Sequence, residues 1–473
     1  DFSQSLNASG GLRAIYDPTT TKLDAGGTVT RAPFPNNIIP TSRIDPTAAQ
    51  FAKDLWDPNG SGNSLAGTNN YVANTFLNFK YYNFSERVDY SINDKWRTFF
   101  RFSTFRDTNL MQDYVDSPAE PDNGAGGSFS RNITGDAIYT LNASTVLDFR
   151  GSFTQIKDQK LREDKFSINE DDLAQYWRSR WFHPYTQDIS TLYYPYLTFP
   201  DSTVFGSKTP YYDQQLHTWN LTAKLTRAQG PHYWKAGTEY RRLNSTSVRP
   251  SPMAFNFTPD LTSSTYINPN TKVSGDAYAT FLLGALSSDS SANSIPVQRP
   301  RNNYVAMYFQ DDFKVNRRLT LTLGIRWEYN GAVYDPDNRL SRYLDLTNPI
   351  PEFQTNVPQM PAAVTAIRKA QPIYNGAWVF TDSNHPGMWD VSKNTFMPRI
   401  GLAYRINDKN VLRAGWARYI VPSNLLVDTL GSLSYPGFSA TSTTLGLLQG
   451  VPQTYLSNPF PATNNPLILP VGK

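Results

Sequence analysis

The chain holds 473 residues, with 44 lysines and arginines against 40 aspartates and glutamates, 14% aromatic residues and no cysteine. Without thiols, disulfides, thiolate catalysis and cysteine metal sites are excluded, and no basic block stands out of the kind a nucleic-acid partner needs. No apolar run approaches the roughly 18–20 residues of a transmembrane helix; the most apolar, Phe281-Leu282-Leu283-Gly284-Ala285-Leu286, is far too short.

Residues 1–74 are rich in Asn, Pro, Gly, Thr and Asp, the composition of irregular, turn-laden backbone, with a short helix predicted at Thr47–Leu55. Within this stretch, Asp57, Asn59 and Ser61 stand at positions 1, 3 and 5 of an oxygen-ligand calcium loop, with Gly62 at position 6. Thr68 occupies the place of the bidentate glutamate, so a plain turn is the better reading.

Five predicted β-hairpins follow. The first runs from Phe84 to Ile92, turns at Asn93-Asp94 and returns from Trp96 to Phe105. The second joins Ile133–Leu141 to Thr145–Lys157, and the third joins Leu216–Arg227 to Tyr233–Leu243 around Gln229-Gly230-Pro231. The fourth runs from Tyr304 to Phe313 and returns from Leu319 to Tyr329. The fifth joins Arg399–Asn407 to Val411–Tyr419. In the return arm of the fourth, Leu319, Leu321, Leu323, Ile325 and Trp327 share one face, against Thr320, Thr322, Gly324, Arg326 and Glu328 on the other.

These arms are about 9 to 13 residues long, where roughly 9–11 tilted residues cross a bilayer core. The connections between hairpins (106–132, 158–215, 244–301 and 330–397) are far longer, and all leave from the same side. Short turns on one side, long loops on the other and two-faced strands between them are the signature of an outer-membrane barrel. A mean hydropathy of −0.49 does not oppose it, because only every second residue of such a strand is apolar. The fold class is therefore all-β, an antiparallel transmembrane barrel portion of about ten strands with long extracellular loops. Residues 1–74 form a loop-rich entry segment, 75–420 the hairpins and 421–473 a further loop segment. Two short helices are expected in the loops, near Asp276–Leu286 and Pro361–Lys369.

On this reading Arg87, Asp89, Arg326, Glu328, Arg399, Arg405 and Arg413 project into the lumen. They line a substrate path, contact a plug, or form a generic charged wall. Loop aromatics Trp177, Trp181, Tyr193, Tyr194 and Tyr196 are candidates for stacking on a ligand, although such rings also pack into girdles for purely physical reasons. Asp311 and Asp312 are neighbours on a strand and point to opposite faces, so they cannot act as a catalytic dyad. The four histidines, His183, His217, His232 and His385, show no metal-ligand spacing. Catalysis, a metal and a cofactor are not expected.

The segment YVAMYFQDDFKVNRRLTLTLGIRWEY, Tyr304 to Tyr329, resembles the QDDFKV…RLTLNLGLRYE hairpin of TonB-dependent outer-membrane receptors. FMPRIGLAYRINDKNVLRAGWARY, Phe396 to Tyr419, is similar to their PRIGLAY…VLRAGYG hairpin. Arg31-Ala32-Pro33-Phe34-Pro35-Asn36-Asn37-Ile38-Ile39-Pro40, continuing to Arg43-Ile44-Asp45-Pro46, resembles a loop of the large Oar-like receptors of acidobacteria and myxobacteria. The run from Gly275 to Gly284, GDAYATFLLG, fits the same branch. The resemblance implies a barrel of about 22 strands closed by an N-terminal plug in the outer membrane of a Gram-negative bacterium. It further implies uptake of a scarce solute such as an oligosaccharide, siderophore or peptide, driven by energy from the TonB complex. About ten strands, with no recognisable plug, TonB box or terminal aromatic strand, read as an internal fragment of such a barrel, its partners being membrane lipid and, through a missing N-terminal part, TonB. A passive porin or structural adhesin is the alternative, and a soluble all-β carbohydrate-binding domain a second one.

Overall fold

A computed structural model of the protein describes residues 1–111, 114–121, 125–161, 168–186, 193–200, 204–207, 212–249, 251–267, 269–350, 353, 362–368, 374–421, 435–463 and 465–468. Its centre is a ten-stranded antiparallel sheet in which each strand pairs with the next along the chain. In chain order the strands are β1 (Leu77–Ser91), β2 (Trp96–Met111), β3 (Ala125–Asn142), β4 (Thr145–Leu161), β5 (Tyr212–Gln229), β6 (His232–Val248), β7 (Arg301–Lys314), β8 (Leu319–Asn330), β9 (Phe396–Arg405) and β10 (Val411–Ala417). β1 and β10 are its two edges. All five predicted hairpins are present.

The tight turns are built locally. Asn93, Asn142, Asn316 and Asn407 each fold their side-chain oxygen onto a backbone N–H two residues on, at 2.8–3.0 Å. That bond closes the turn without help from the rest of the protein. The fifth turn has no such asparagine and uses Gly230 at φ +58°, a conformation open to glycine at little cost.

Most strands are longer than expected. β1 to β7 run 14–18 residues, so a stretch of each strand stands beyond the roughly 9–11 residues that cross the hydrocarbon. The last hairpin is shorter than expected, at 10 and 7 residues.

The described parts of the connections are packed. They and the flanking segments fold together into a cap with its own cores, at the sheet end opposite the tight turns. A four-stranded sheet, Tyr196–Thr198, Ala254–Asn256, Ser291–Ser294 and Ala440–Thr443, draws its strands from distant segments of the chain. Phe51, Trp177, Phe182, Tyr194, Phe255, Phe257 and Phe281 fill the main core. Three of the cap's helices match the expected ones: Pro46–Phe51, Ala277–Leu282 and Ala362–Arg368. Part of the expected loop segment 421–473 lies outside the described residues.

The segments that carry the Oar-like resemblance meet in the cap. Asp45 caps the first helix through the N–H groups of Thr47 and Ala48, and its own N–H donates to the carbonyl of Leu282 at 2.8 Å. Gly284, at φ +65°, lies so close that a Cβ there would sit 2.5 Å from Asp45 Cγ. Position 284 therefore admits only glycine beside Asp45.

Candidate functional site

Strand register sorts the sheet into two faces. Directly paired residues share a face, and a row of them crosses eight strands: Asp89, Phe99, Asp136, Arg150, Thr222, Glu239, Ala306 and Glu328. By the same register Arg87, Arg326, Arg399, Arg405 and Arg413 lie on this polar face. All seven charged candidates are thus on one side of the sheet.

The opposite face is apolar and open. Phe100, Leu221, Leu323, Ile325, Ile400 and Trp416 are 46–60% exposed. A contiguous apolar surface of this extent is untenable in water and suits a lipid surround.

The polar face is knitted by ion pairs and hydrogen bonds. On β5 to β8, the Arg326 guanidinium donates from Nε to Glu328 at 2.5 Å and from Nη2 to the Tyr304 hydroxyl at 2.9 Å. Glu239 stands 3.8 Å from the same guanidinium and accepts from Asn220. The Tyr308 ring lies over Gly237, where a Cβ would come within 2.6 Å of it. On β1 to β4, Arg87 forks onto Asp89 at 2.7 and 2.8 Å, and Arg150 Nε donates to the buried Asp136 carboxylate at 2.8 Å. The residues of β1 to β4 line a hollow of about 690 Å³ on the polar face.

Asp311 and Asp312 do part to opposite faces. Asp312 is on the polar side with Lys235 at 3.1 Å, and Asp311 is on the apolar side with His232 Nδ1 at 2.6 Å, close to the tight turn.

The loop aromatics have been drawn into the cap. Trp177 is 4% exposed and Tyr194 fully buried, with both rings edge-on to Phe51 at 5.1 and 5.4 Å. Tyr193 is buried as well. Trp177 and Tyr194 are packed among other rings, so in this conformation they serve as core and offer no stacking surface. Trp181 and Tyr196 are half-buried. Trp181 packs on Trp177, Phe182 and Phe460. Sequence alternation could not have found this, because irregular backbone has no period.

Beside this core, burial pushes the Asp54 carboxyl above its ordinary range, opposed by the Tyr176 hydroxyl that donates to it at 2.7 Å. Burial and the same carboxylate push the Tyr176 phenol well up. In the Asp57–Ser61 stretch, which is irregular, the Asn59 side chain exchanges two hydrogen bonds with the backbone of Val72, at 2.8 and 2.9 Å. Among the described residues no group of three metal-ligating side chains occurs.

Comparison with known proteins fits this two-faced sheet. The family model described as an outer membrane beta barrel domain matches residues 1–472. The chain belongs to that family. It is thus an outer-membrane barrel protein of a Gram-negative bacterium, with the exposed apolar face turned to lipid. Among solved structures, the barrel is similar to the ferric-catecholate import receptor Fiu of E. coli K12, at 11% identity over 72% of this chain and 47% of that one, with a TM-score of 0.35. It is also similar to FpvA of P. aeruginosa (10% identity, 71% and 35%, TM-score 0.36) and to the outer membrane transporter YddB of Escherichia coli (11%, 70% and 39%, TM-score 0.33). The chain spans about half the length of these structures or less. No curated protein matches the sequence.

Proposed function

We propose that this chain forms wall and outer cap of a plugged receptor of the TonB-dependent kind, the Oar-like branch being the one its motifs favour, and that the chain is an internal piece of that barrel. The receptor captures a scarce solute such as an oligosaccharide, siderophore or peptide at its outer side and passes it inward with energy relayed by TonB. One observation carries the reading: a membrane sheet whose polar face is a dense array of charges, topped by a cap with a folded core. A charged wall needs polar contents, a plug or a solute, and the described parts of the outer loops share a packed core from which a surface can be presented.

In this reading Arg87, Asp89, Arg326, Glu328, Arg399, Arg405 and Arg413 line the lumen. Trp181 and Tyr196 are the loop aromatics with ring surface left for a ligand, and Trp177, Tyr193 and Tyr194 hold the surface in shape. No bond is made or broken, and neither cofactor nor metal takes part.

The test uses cells carrying the intact gene. Deleting it should abolish both binding and uptake of the cognate solute, and deleting TonB should abolish uptake while binding at the surface survives. Uptake that persists without TonB would mean a passive pore, and binding with no uptake in any background would mean an adhesin.

A further inference from the structure

Two arginines stand opposite one another in the strand pairing on the polar side of the sheet. Arg87 on β1 and Arg101 on β2 are directly paired in the register, an arrangement that like charges disfavour. Arg87 is neutralised by its two-pronged contact with Asp89. Among the described residues, Arg101 has no carboxylate partner, and its Nη2 donates to the side-chain oxygen of Asn132, at 3.1 Å.

The surroundings add charge of the same sign. The 690 Å³ hollow is lined by four arginines, Arg87, Arg97, Arg101 and Arg150, and by two aspartates, Asp89 and Asp136. Each aspartate is taken by one arginine. Arg97 and Arg101 are four residues apart on β2 and so point the same way, with Phe99 between them. The hydroxyls of Ser85 and Ser103, one step away and in contact at 2.9 Å, offer further donors on the same face.

We infer that the hollow on β1 to β4, whose four arginines outnumber its two aspartates, is an anion site in which a carboxylate or phosphate group of a small solute lies against Arg101. A guanidinium fork that no carboxylate occupies matches the planar or tetrahedral oxygens of such a group. The anion would balance the charge of Arg97 and Arg101, for which the two aspartates of the hollow, each already taken by another arginine, leave no partner. The inference rests on the reading of the polar face as the lumen wall, since a solute must be able to reach it.

The full protein in detergent micelles at low ionic strength, with inorganic phosphate as probe, tests this through broadening of the phosphorus NMR line. Saturable broadening is expected. Arg101→Gln should weaken apparent affinity at least tenfold, and Arg101→Lys should keep most of it. Asn132→Asp, which sets a carboxylate onto Arg101 in place, should abolish binding while keeping the strand's shape. Arg317→Gln, exposed in the tight turn between β7 and β8, should change nothing. Phosphate that does not bind the wild type, or that binds Arg101→Gln and Asn132→Asp equally well, overturns the inference. Access is read separately: Ser103→Cys, in a chain otherwise free of cysteine, should react with a water-soluble maleimide in intact membranes. A thiol at that position that stays unreactive, beside intact phosphate binding in micelles, would overturn the lumen reading and leave the anion site standing.

Discussion

The indole Nε1 of Trp177 donates a 2.7 Å hydrogen bond to the backbone carbonyl of Leu456, a residue 279 positions further along the chain. The bond is buried, and it ties the loop between β4 and β5 to the segment that follows β10. Trp177→Phe removes the donor, keeps most of the ring and leaves that carbonyl unpaired, a loss of about 1–3 kcal/mol. Hydrogen exchange should quicken in 168–182 and around Leu456, with the sheet unaffected. Unchanged exchange there would show that the two segments do not depend on each other.

Arg31 is a second tie, of a different kind. Its buried guanidinium donates to the carbonyls of Asp260, Leu261, Ser263 and Gly450 and to the Thr21 hydroxyl. Arg31→Met should strand these acceptors and destabilise the cap by at least about 1–3 kcal/mol, the scale for leaving a buried acceptor unpaired. Limited proteolysis of intact cells should then clip the cap while the sheet survives.

Acid should loosen the entry segment. Arg43 grips Asp17 at 2.5 and 2.9 Å. Burial alone would raise the Asp17 carboxyl, but hydrogen bonds from Arg43 and Thr19 outweigh it and hold it below the usual range. A carboxyl depressed in the folded state stabilises fully above its unfolded value, about 3.9, and the contribution is lost as pH falls through the lower folded value. Hydrogen exchange of residues 15–45, corrected for intrinsic rate, should therefore rise below about pH 4, and Asp17→Asn should flatten that rise.

The packing of Tyr308 on Gly237 predicts a position where bulk is not tolerated. Gly237→Val should drive the ring away and weaken the β6–β7 pairing by about 1–3 kcal/mol, the cost of overpacking. The band of heat-sensitive, folded protein on gels should shrink accordingly. Tyr308→Ala in the same chain should restore part of it. No rescue by the second change would place the damage in the backbone of β6.

The two faces can be told apart by one residue's shift along β8. Leu323→Arg, on the apolar face, should cost about 2–4 kcal/mol at mid-membrane, seen as failure to insert into lipid vesicles. Thr322→Arg, on the polar face, should insert normally. Equal tolerance of both would contradict a lipid-facing apolar side.

Much of this molecule was legible in the sequence, because its information is local. Period-two alternation located all five hairpins, and four of five turns carry the asparagine that closes them. The seven charged candidates fall on one face because strand parity alone decides it. The motif segments 31–46 and 275–284 could be quoted, but not the reason for them: Gly284 is there to make room for Asp45, which lies far back along the chain.

The sequence by itself determined where the membrane strands lie and which side chains face which way, since both follow from backbone geometry within a few residues. Tertiary structure alone decided three things: that the described parts of the long connections pack into a cap, that Trp177 and Tyr194 are its core and not ligand surface, and that Arg101 meets Asn132 on β3 and no carboxylate among the described residues. These depend on contacts between residues whose partners lie on other elements, and no local period in the chain records which partner each will meet.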